Sequence, residues 1–248
     1  EMGVLHLHLS DAESFSIASR RYPLLHKKGA ANGEYYTQGQ IRELIAYARD
    51  RGIRVVPEFD IPGHTRSWFA GYPQLTSPLY REESKHTQQD AVIDPTNPYV
   101  YRFISRFFAE MGALFPDKYF HAGGDEVSGK QWERDPHIVR FMKMHDMSGT
   151  AGLQAYFTRR VAKILRAEGK LMIGWDEVLG PATPQGAVIE VWHKTGVATK
   201  AIESGHPVII AGPYYLDELQ PSAYYYRSDP MGATKPDLTA KDRSLVLG

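Results

Sequence analysis

The chain has 248 residues, 42% of them apolar, with Lys+Arg and Asp+Glu balanced at 29 each. That balance argues against nucleic acid or an anionic membrane as the main partner. No apolar run approaches the roughly 18 residues of a membrane span, and the absence of cysteine excludes disulfides and thiolate metal sites. The predicted elements alternate. Val4 to Leu9 reads as a strand. Thr37 to Arg51 reads as a helix, with Thr37 and Gln40 forming a capping box, an apolar stripe of Ile41, Leu44, Ile45 and Ala48, and Gly52 as the stop. Ile53 to Phe59 is the next strand, and a long polar segment leads to a helix from about Pro98 to Phe115. Tyr119 to Ala122 is a short strand, Gln154 to Glu168 a helix ended by Gly169, and Leu171 to Trp175 a strand. Ala187 to Val191 and Pro207 to Ala211 are two more strands, separated by a helix from Val197 to Ser204. Strands separated by helices predict a parallel α/β sheet, open or closed into a barrel.

Polar residues gather where these strands end. Ser10 and Asp11 follow the first; Glu58, Asp60 and His64 follow the second; Asp125 and Glu126 follow the third. Trp175, Asp176 and Glu177 come next, then Glu190, Trp192 and His193, then Tyr214, Tyr215 and Asp217. This repeated pattern fits a barrel whose site is built from loops at the carboxyl ends of its strands, whereas an open doubly wound sheet concentrates function at one switch point. No GxGxxG or GxxxxGK[ST] loop is present, which disfavours nucleotide chemistry.

The densest signal is Tyr119-Phe-His-Ala-Gly-Gly-Asp125-Glu126. Gly123 and Gly124 open backbone angles closed to other residues, so the chain can turn and aim two acids into one place. Adjacent carboxylates each raise the cost of ionising the other. Such pairs bind cations, bind polar ligands or perform acid/base chemistry. A solvated acidic turn is the competing local reading.

Several segments together resemble glycoside hydrolase family 20, the β-N-acetylhexosaminidases. They are His6-Leu-His8-Leu-Ser-Asp11-Ala-Glu-Ser-Phe15, Tyr22-Pro23, the block from Tyr47 through Val-Val-Pro-Glu58-Phe-Asp60-Ile-Pro-Gly-His64-Thr, and His121-Ala-Gly-Gly-Asp125-Glu126. The likeness continues through Gly174-Trp175-Asp-Glu, Val191-Trp192 and Tyr215-Leu-Asp217, in order along nearly the whole chain. It implies a (β/α)8 TIM-type barrel and a retaining exo-acting hydrolase that releases terminal β-linked GlcNAc or GalNAc. In that family the substrate's 2-acetamido group is the nucleophile, an exception to the two-carboxylate scheme. By resemblance, Glu126 protonates the leaving oxygen and then activates water. Asp125 orients the acetamido N–H and stabilises the oxazolinium, and Tyr215 holds the acetamido oxygen. Trp175 and Trp192 match the aromatic walls of the sugar pocket, Asp217 matches a residue that binds ring hydroxyls, and Asp11 and His64 match a supporting relay. The resemblance implies no cofactor or metal, a saccharide with a terminal N-acetylhexosamine as partner, and export to a periplasmic, secreted or lysosomal location.

Local readings compete with these roles. His64 can cap the Pro62-Gly63 turn, the two tryptophans can be core, Asp60 is expected to brace the Pro-Gly turn, and Asp176 and Glu177 are expected to lie behind the site or at the surface. Tyr224, Tyr225 and Tyr226 are expected on a surface loop. His6 and His8 form an HxH that also opens the metal site of amidohydrolase barrels; the family reading places them in the barrel interior as structural or distant polar groups. Two alternatives therefore stand beside the hydrolase: a metal-dependent amidohydrolase-type barrel using His6 and His8, and a non-catalytic sugar-binding relic. The chain opens at what corresponds to the family's second strand, Leu245 to Gly248 reads as the start of the eighth, and no residue matches the family's sugar-clamping Arg. The expectation is a single catalytic barrel domain over residues 1–248 that lacks strand 1 and most of strand 8, as a fragment of a longer chain. Ala12, standing where the family has a polar residue, leaves the hydrogen bonding around Asp11 open.

Overall fold

A computed structural model describes residues 2–83, 92–193, 196–232 and 238–248. Six strands run in chain order: β1 (Val4–His8), β2 (Arg54–Glu58), β3 (Tyr119–His121), β4 (Leu171–Trp175), β5 (Val188–Val191) and β6 (Val208–Ile210). Each pairs in parallel with the next, so spatial order equals sequence order. This is the topology of a (β/α)8 barrel wall, curved into a partial barrel. Beyond the six strands, Leu247 N–H donates to Val208 O at 2.8 Å and Ile210 N–H to Gly248 O at 2.8 Å. The terminal residues thus lie parallel to β6, as expected of a further strand.

Side chains alternate across a strand, and the two faces differ. One face carries Val56, Ile173 and Val188, packed with Tyr119 and Ile209, at its amino-terminal level. Two residues further along the same strands come Glu58, His121, Trp175 and Glu190, joined by His6 and His8 from β1. The other face, with Val55, Phe120, Met172 and Ile189, packs into the main core against the helices.

The helix Pro98–Leu114 begins at a sequence-readable start: Asn97 caps it by accepting from Tyr99 N, and Pro98 occupies the first turn. Its apolar stripe meets the sheet through aromatic rings, with Phe59–Phe107 centroids at 4.9 Å and Phe108–Phe120 at 4.7 Å. Each such buried ring contributes roughly 1.5–3 kcal/mol. The helix Gln38–Arg49 carries the expected Thr37/Gln40 capping box. The helix Gly149–Ala167 starts at Gly149 rather than Gln154, because Leu153 packs into a second apolar cluster with Val92, Trp132, Ile138 and Met142. That cluster also holds the unforeseen helix Pro136–Met144, whose start signal, Asp135 capping His137 N ahead of Pro136, was present in the sequence. Among the described residues no helix is long and apolar enough to cross a membrane.

Candidate active site

The chain leaves β3 through two glycines in the left-handed region, Gly123 at φ 66° and Gly124 at φ 106°. A Cβ on Gly123 would run into the Asp60 carboxylate, and one on Gly124 into Val178. Gly124 N–H donates to Asp60 Oδ1 at 3.0 Å, and Gln154 Nε2 donates to Gly124 O at 2.7 Å. Asp60 therefore braces the Gly-Gly turn, correcting the expectation that it braces the Pro-Gly turn. Burial raises the Asp60 carboxyl well above the usual range, and the neighbouring Asp125 adds to the effect. Glu126 and His64 also sit at positive φ, 48° and 52°, a state that costs non-glycine residues about 1–3 kcal/mol and gathers at functional sites.

His64 stands between three carboxylates. Its Nδ1 is 3.0 Å from Asp11 Oδ1, and its Nε2 is 3.5 Å from both Asp125 Oδ2 and Glu126 Oε2. The bond to Asp11 outweighs burial and raises His64 to about 9, so the ring is charged near neutrality. Burial acts to raise Asp11, but hydrogen bonds from His64 and His8 hold it well below the usual carboxylate range. Asp11 is also fixed by its own turn, since Ala12 N–H donates to Asp11 Oδ1 at 2.5 Å. Asp125 has little exposure at 18%, whereas Glu126 is 59% exposed and open to a ligand.

Behind the pair lies a group that sequence reasoning left unassigned. Glu58 is 1% exposed. Its Oε1 accepts from Trp175 Nε1 at 2.9 Å and lies 3.2 Å from His121 Nδ1. Its Oε2 bonds His8 Nδ1 at 2.8 Å and lies 2.9 Å from His6 Nε2. His8 Nε2 reaches Asp11 Oδ2 at 2.9 Å. Of the two expectations for His8, structural or distant, the distant one fails, because His8 touches the relay at Asp11. Burial opposes charge on both β1 histidines, but their carboxylate partners win, raising His6 to about 9 and His8 to about 10.

The aromatic residues meet the acids through carboxylates. Trp192 Nε1 donates to Glu177 Oε2 at 3.1 Å, and Glu126 N–H donates to Glu177 Oε1 at 3.3 Å. Burial lifts Glu177 to about 7. Asp176, buried, holds the His193 ring at 2.7 Å, so both acids after Trp175 lie behind the site, as expected. Tyr215 is half-buried after β6; burial first, then the charges of Glu190, Asp125, Glu58 and Asp217, push its hydroxyl up to about 12. Asp217 is exposed at the rim. Tyr225, expected on a surface loop, lies in the short helix Ser222–Arg227, and its hydroxyl donates to Tyr215 O at 2.8 Å and Glu218 O at 2.6 Å.

Among the described residues, three sets of side chains bring possible metal-ligating atoms within 4.8 Å of one another: His6/Glu58/His121, Asp60/His64/Asp125 and Asp176/Glu177/His193. The first contains His6 but not His8, the other half of the HxH pair that an amidohydrolase-type site would use. His6 and His8 both lie within ion-pair distance of Glu58 Oε2, at 2.9 and 2.8 Å.

Comparisons with known proteins identify the family. The family model "Glycosyl hydrolase family 20, catalytic domain" matches residues 1–239. The chain is 36% identical over 258 residues to mouse beta-hexosaminidase subunit beta, covering all of this chain and 47% of that protein. It is likewise 36% identical to the human subunit beta over 261 residues, covering 46% of that protein. It thus spans about half the length of the curated relatives it matches. Among solved structures, the Flavobacterium johnsoniae chitobiase superposes with a TM-score of 0.90 at 34% identity, over all of this chain and 39% of that one. A Vibrio harveyi exo beta-N-acetylglucosaminidase in complex with N-acetylglucosamine superposes with a TM-score of 0.75 at 31% identity, over 84% of this chain and 36% of that one. The chain belongs to glycosyl hydrolase family 20.

Proposed function

We propose that this chain carries the catalytic centre of a retaining exo-β-N-acetylhexosaminidase, hydrolysing terminal β-linked GlcNAc or GalNAc by substrate-assisted catalysis. The observation that carries the reading is the convergence of Asp125 and Glu126 on one imidazole, His64, anchored in turn by Asp11. Glu126 protonates the departing glycosidic oxygen and later takes a proton from water. Asp125, less exposed and fixed by the Gly-Gly turn, receives the acetamido N–H and offsets the positive charge of the oxazolinium. Tyr215 donates its hydroxyl to the acetamido oxygen. Trp175 and Trp192 enclose the sugar, and Asp217 at the rim takes ring hydroxyls. The relatives' names, beta-hexosaminidase and exo beta-N-acetylglucosaminidase, support this substrate class.

The test is substrate choice by the purified protein. Aryl β-GlcNAc should be cleaved with retention, a thiazoline mimic of the oxazoline should inhibit competitively and bind more tightly than GlcNAc, and the matching β-glucoside should be inert. Ready cleavage of the glucoside overturns the substrate-assisted mechanism and points to an enzyme nucleophile.

A further inference from the structure

We propose that Glu58 is a positioning residue for this reaction, coupling the Trp175 wall of the sugar pocket to the Asp11–His64 pair that faces the two acids. The inference rests on the glycosidase reading and adds a residue to it. Register makes the arrangement possible: Glu58 pairs with His8 on one side and His121 on the other, so residues far apart in the chain share one level of the sheet. An unbroken line of contacts follows. Trp175 Nε1 donates to Glu58 Oε1 at 2.9 Å, Glu58 Oε2 meets His8 Nδ1 at 2.8 Å, His8 Nε2 meets Asp11 Oδ2 at 2.9 Å, and Asp11 Oδ1 meets His64 Nδ1 at 3.0 Å. An imidazole flanked by two carboxylates donates from both nitrogens only as the imidazolium, so the charge on Glu58 sets the state of His8 and, through it, the grip on Asp11.

A carboxylate suits this place and an amide does not. Glutamine offers one accepting oxygen, so it cannot accept from both Trp175 Nε1 on one side and His8 Nδ1 on the other without turning its NH2 toward one of them. The groups facing Glu58 are His6 and His8 from β1, His121 from β3 and Trp175 from β4, with Glu190 of β5 nearby. Glu190 lies 3.7 Å from His6 Nδ1 and 3.5 Å from His121 Nε2. It remains as a carboxylate neighbour of both rings when Glu58 is neutralised, whereas His8 keeps Asp11. His8 is therefore the reporter.

The experiment compares wild type, Glu58→Gln and His8→Gln in turnover of aryl β-GlcNAc across pH, with NMR titration of the His8 ring in wild type and Glu58→Gln. Glu58→Gln should lower kcat by about 10–100-fold, as losses of residues that orient catalytic groups do, and His8 should titrate at markedly lower pH than in wild type. His8 is half-exposed, so His8→Gln guards against a core variant that fails to fold. It cuts the line to Asp11 while leaving Trp175 anchored, so it should lower kcat with little change in GlcNAc affinity. An active wild type whose variants lose only thermal stability, with unchanged kcat and pH profile, overturns the role of Glu58 alone. A wild type that does not cleave aryl β-GlcNAc overturns the glycosidase reading and this role together.

Discussion

The ends of β3 and β6 both face the proposed sugar site, yet they are held in different ways. At the β3 end, Asp125 and Glu126 follow two sterically required glycines, and Asp60, Gln154, His64 and Glu177 fix the surrounding backbone and side chains. Beneath them Glu58 binds groups from three other strands. At the β6 end, Tyr215 and Asp217 sit in a partly exposed loop, held chiefly by hydroxyls: Tyr225 donates to Tyr215 O, and Tyr214 donates to Ser228 O at 2.9 Å. Bond making and breaking demands groups fixed within fractions of an ångström. Recognition of a sugar's edge tolerates a loop that adjusts. In the proposed mechanism, the more densely bonded end is the one where charge develops.

If that contrast holds, substitutions should grade in severity from β3 to β6. The largest effect is expected from the acids. Glu126→Gln should reduce turnover of an alkyl β-GlcNAc by roughly 10²–10⁴-fold and do less harm with a nitrophenyl leaving group, which departs without a proton. Equal losses on both substrates contradict the acid assignment. Asp125→Asn should cost roughly 10²–10³-fold in kcat, like the loss of one oxyanion-type contact, with GlcNAc affinity nearly intact; a near-normal rate returns the pair to a solvated acidic turn.

Glu177→Ala releases both the Glu126 N–H and the Trp192 ring, and with them the restraint on a residue at positive φ. About 10–100-fold in kcat/KM is expected, shared between kcat and KM because the acid and the wall move together. A pure KM effect would mean that only Trp192 depends on it.

Tyr225→Phe tests the other side. It removes two hydrogen bonds whose acceptors stand near water, so each contributes about 1 kcal/mol or less, and KM for aryl β-GlcNAc should rise only a few-fold. A loss as large as that of Glu177→Ala would erase the distinction between the two strand ends.

The smallest effect concerns stability against pH. His6 and His8 titrate near 9 and 10 in the folded chain, above the ordinary 6.5. Their contribution is complete below about pH 6.5 and lost as pH rises through 9 to 10. Glu58 and Asp11 are held below the ordinary carboxylate values, so their contribution is complete above about pH 4–5 and lost on acidification. Thermal melts should show a plateau between these limits, with Tm falling roughly 2–4 °C per kcal/mol lost on either flank. Glu58→Gln should flatten both flanks.

Much was legible along the chain because it depends on near neighbours. Strand and helix alternation, the Thr37/Gln40 box, the Gly52 and Gly169 stops, and the Gly-Gly turn before two acids are consequences of local sterics and hydrogen bonding. Ordered motifs carried the family. Other features depend on contacts between distant segments. Glu58 in Val-Val-Pro-Glu-Phe reads as one more polar strand end until parallel register sets His8 and His121 beside it and β4 brings Trp175. Asp60 bracing Gly124, Glu177 holding Glu126 and Tyr225 holding Tyr215 span 64, 51 and 10 residues. The sequence by itself determined which residues can do chemistry and roughly which strand ends bear them. Only the tertiary structure decided which of them share protons and charge, because a buried carboxylate takes its state from whichever donors the fold packs against it.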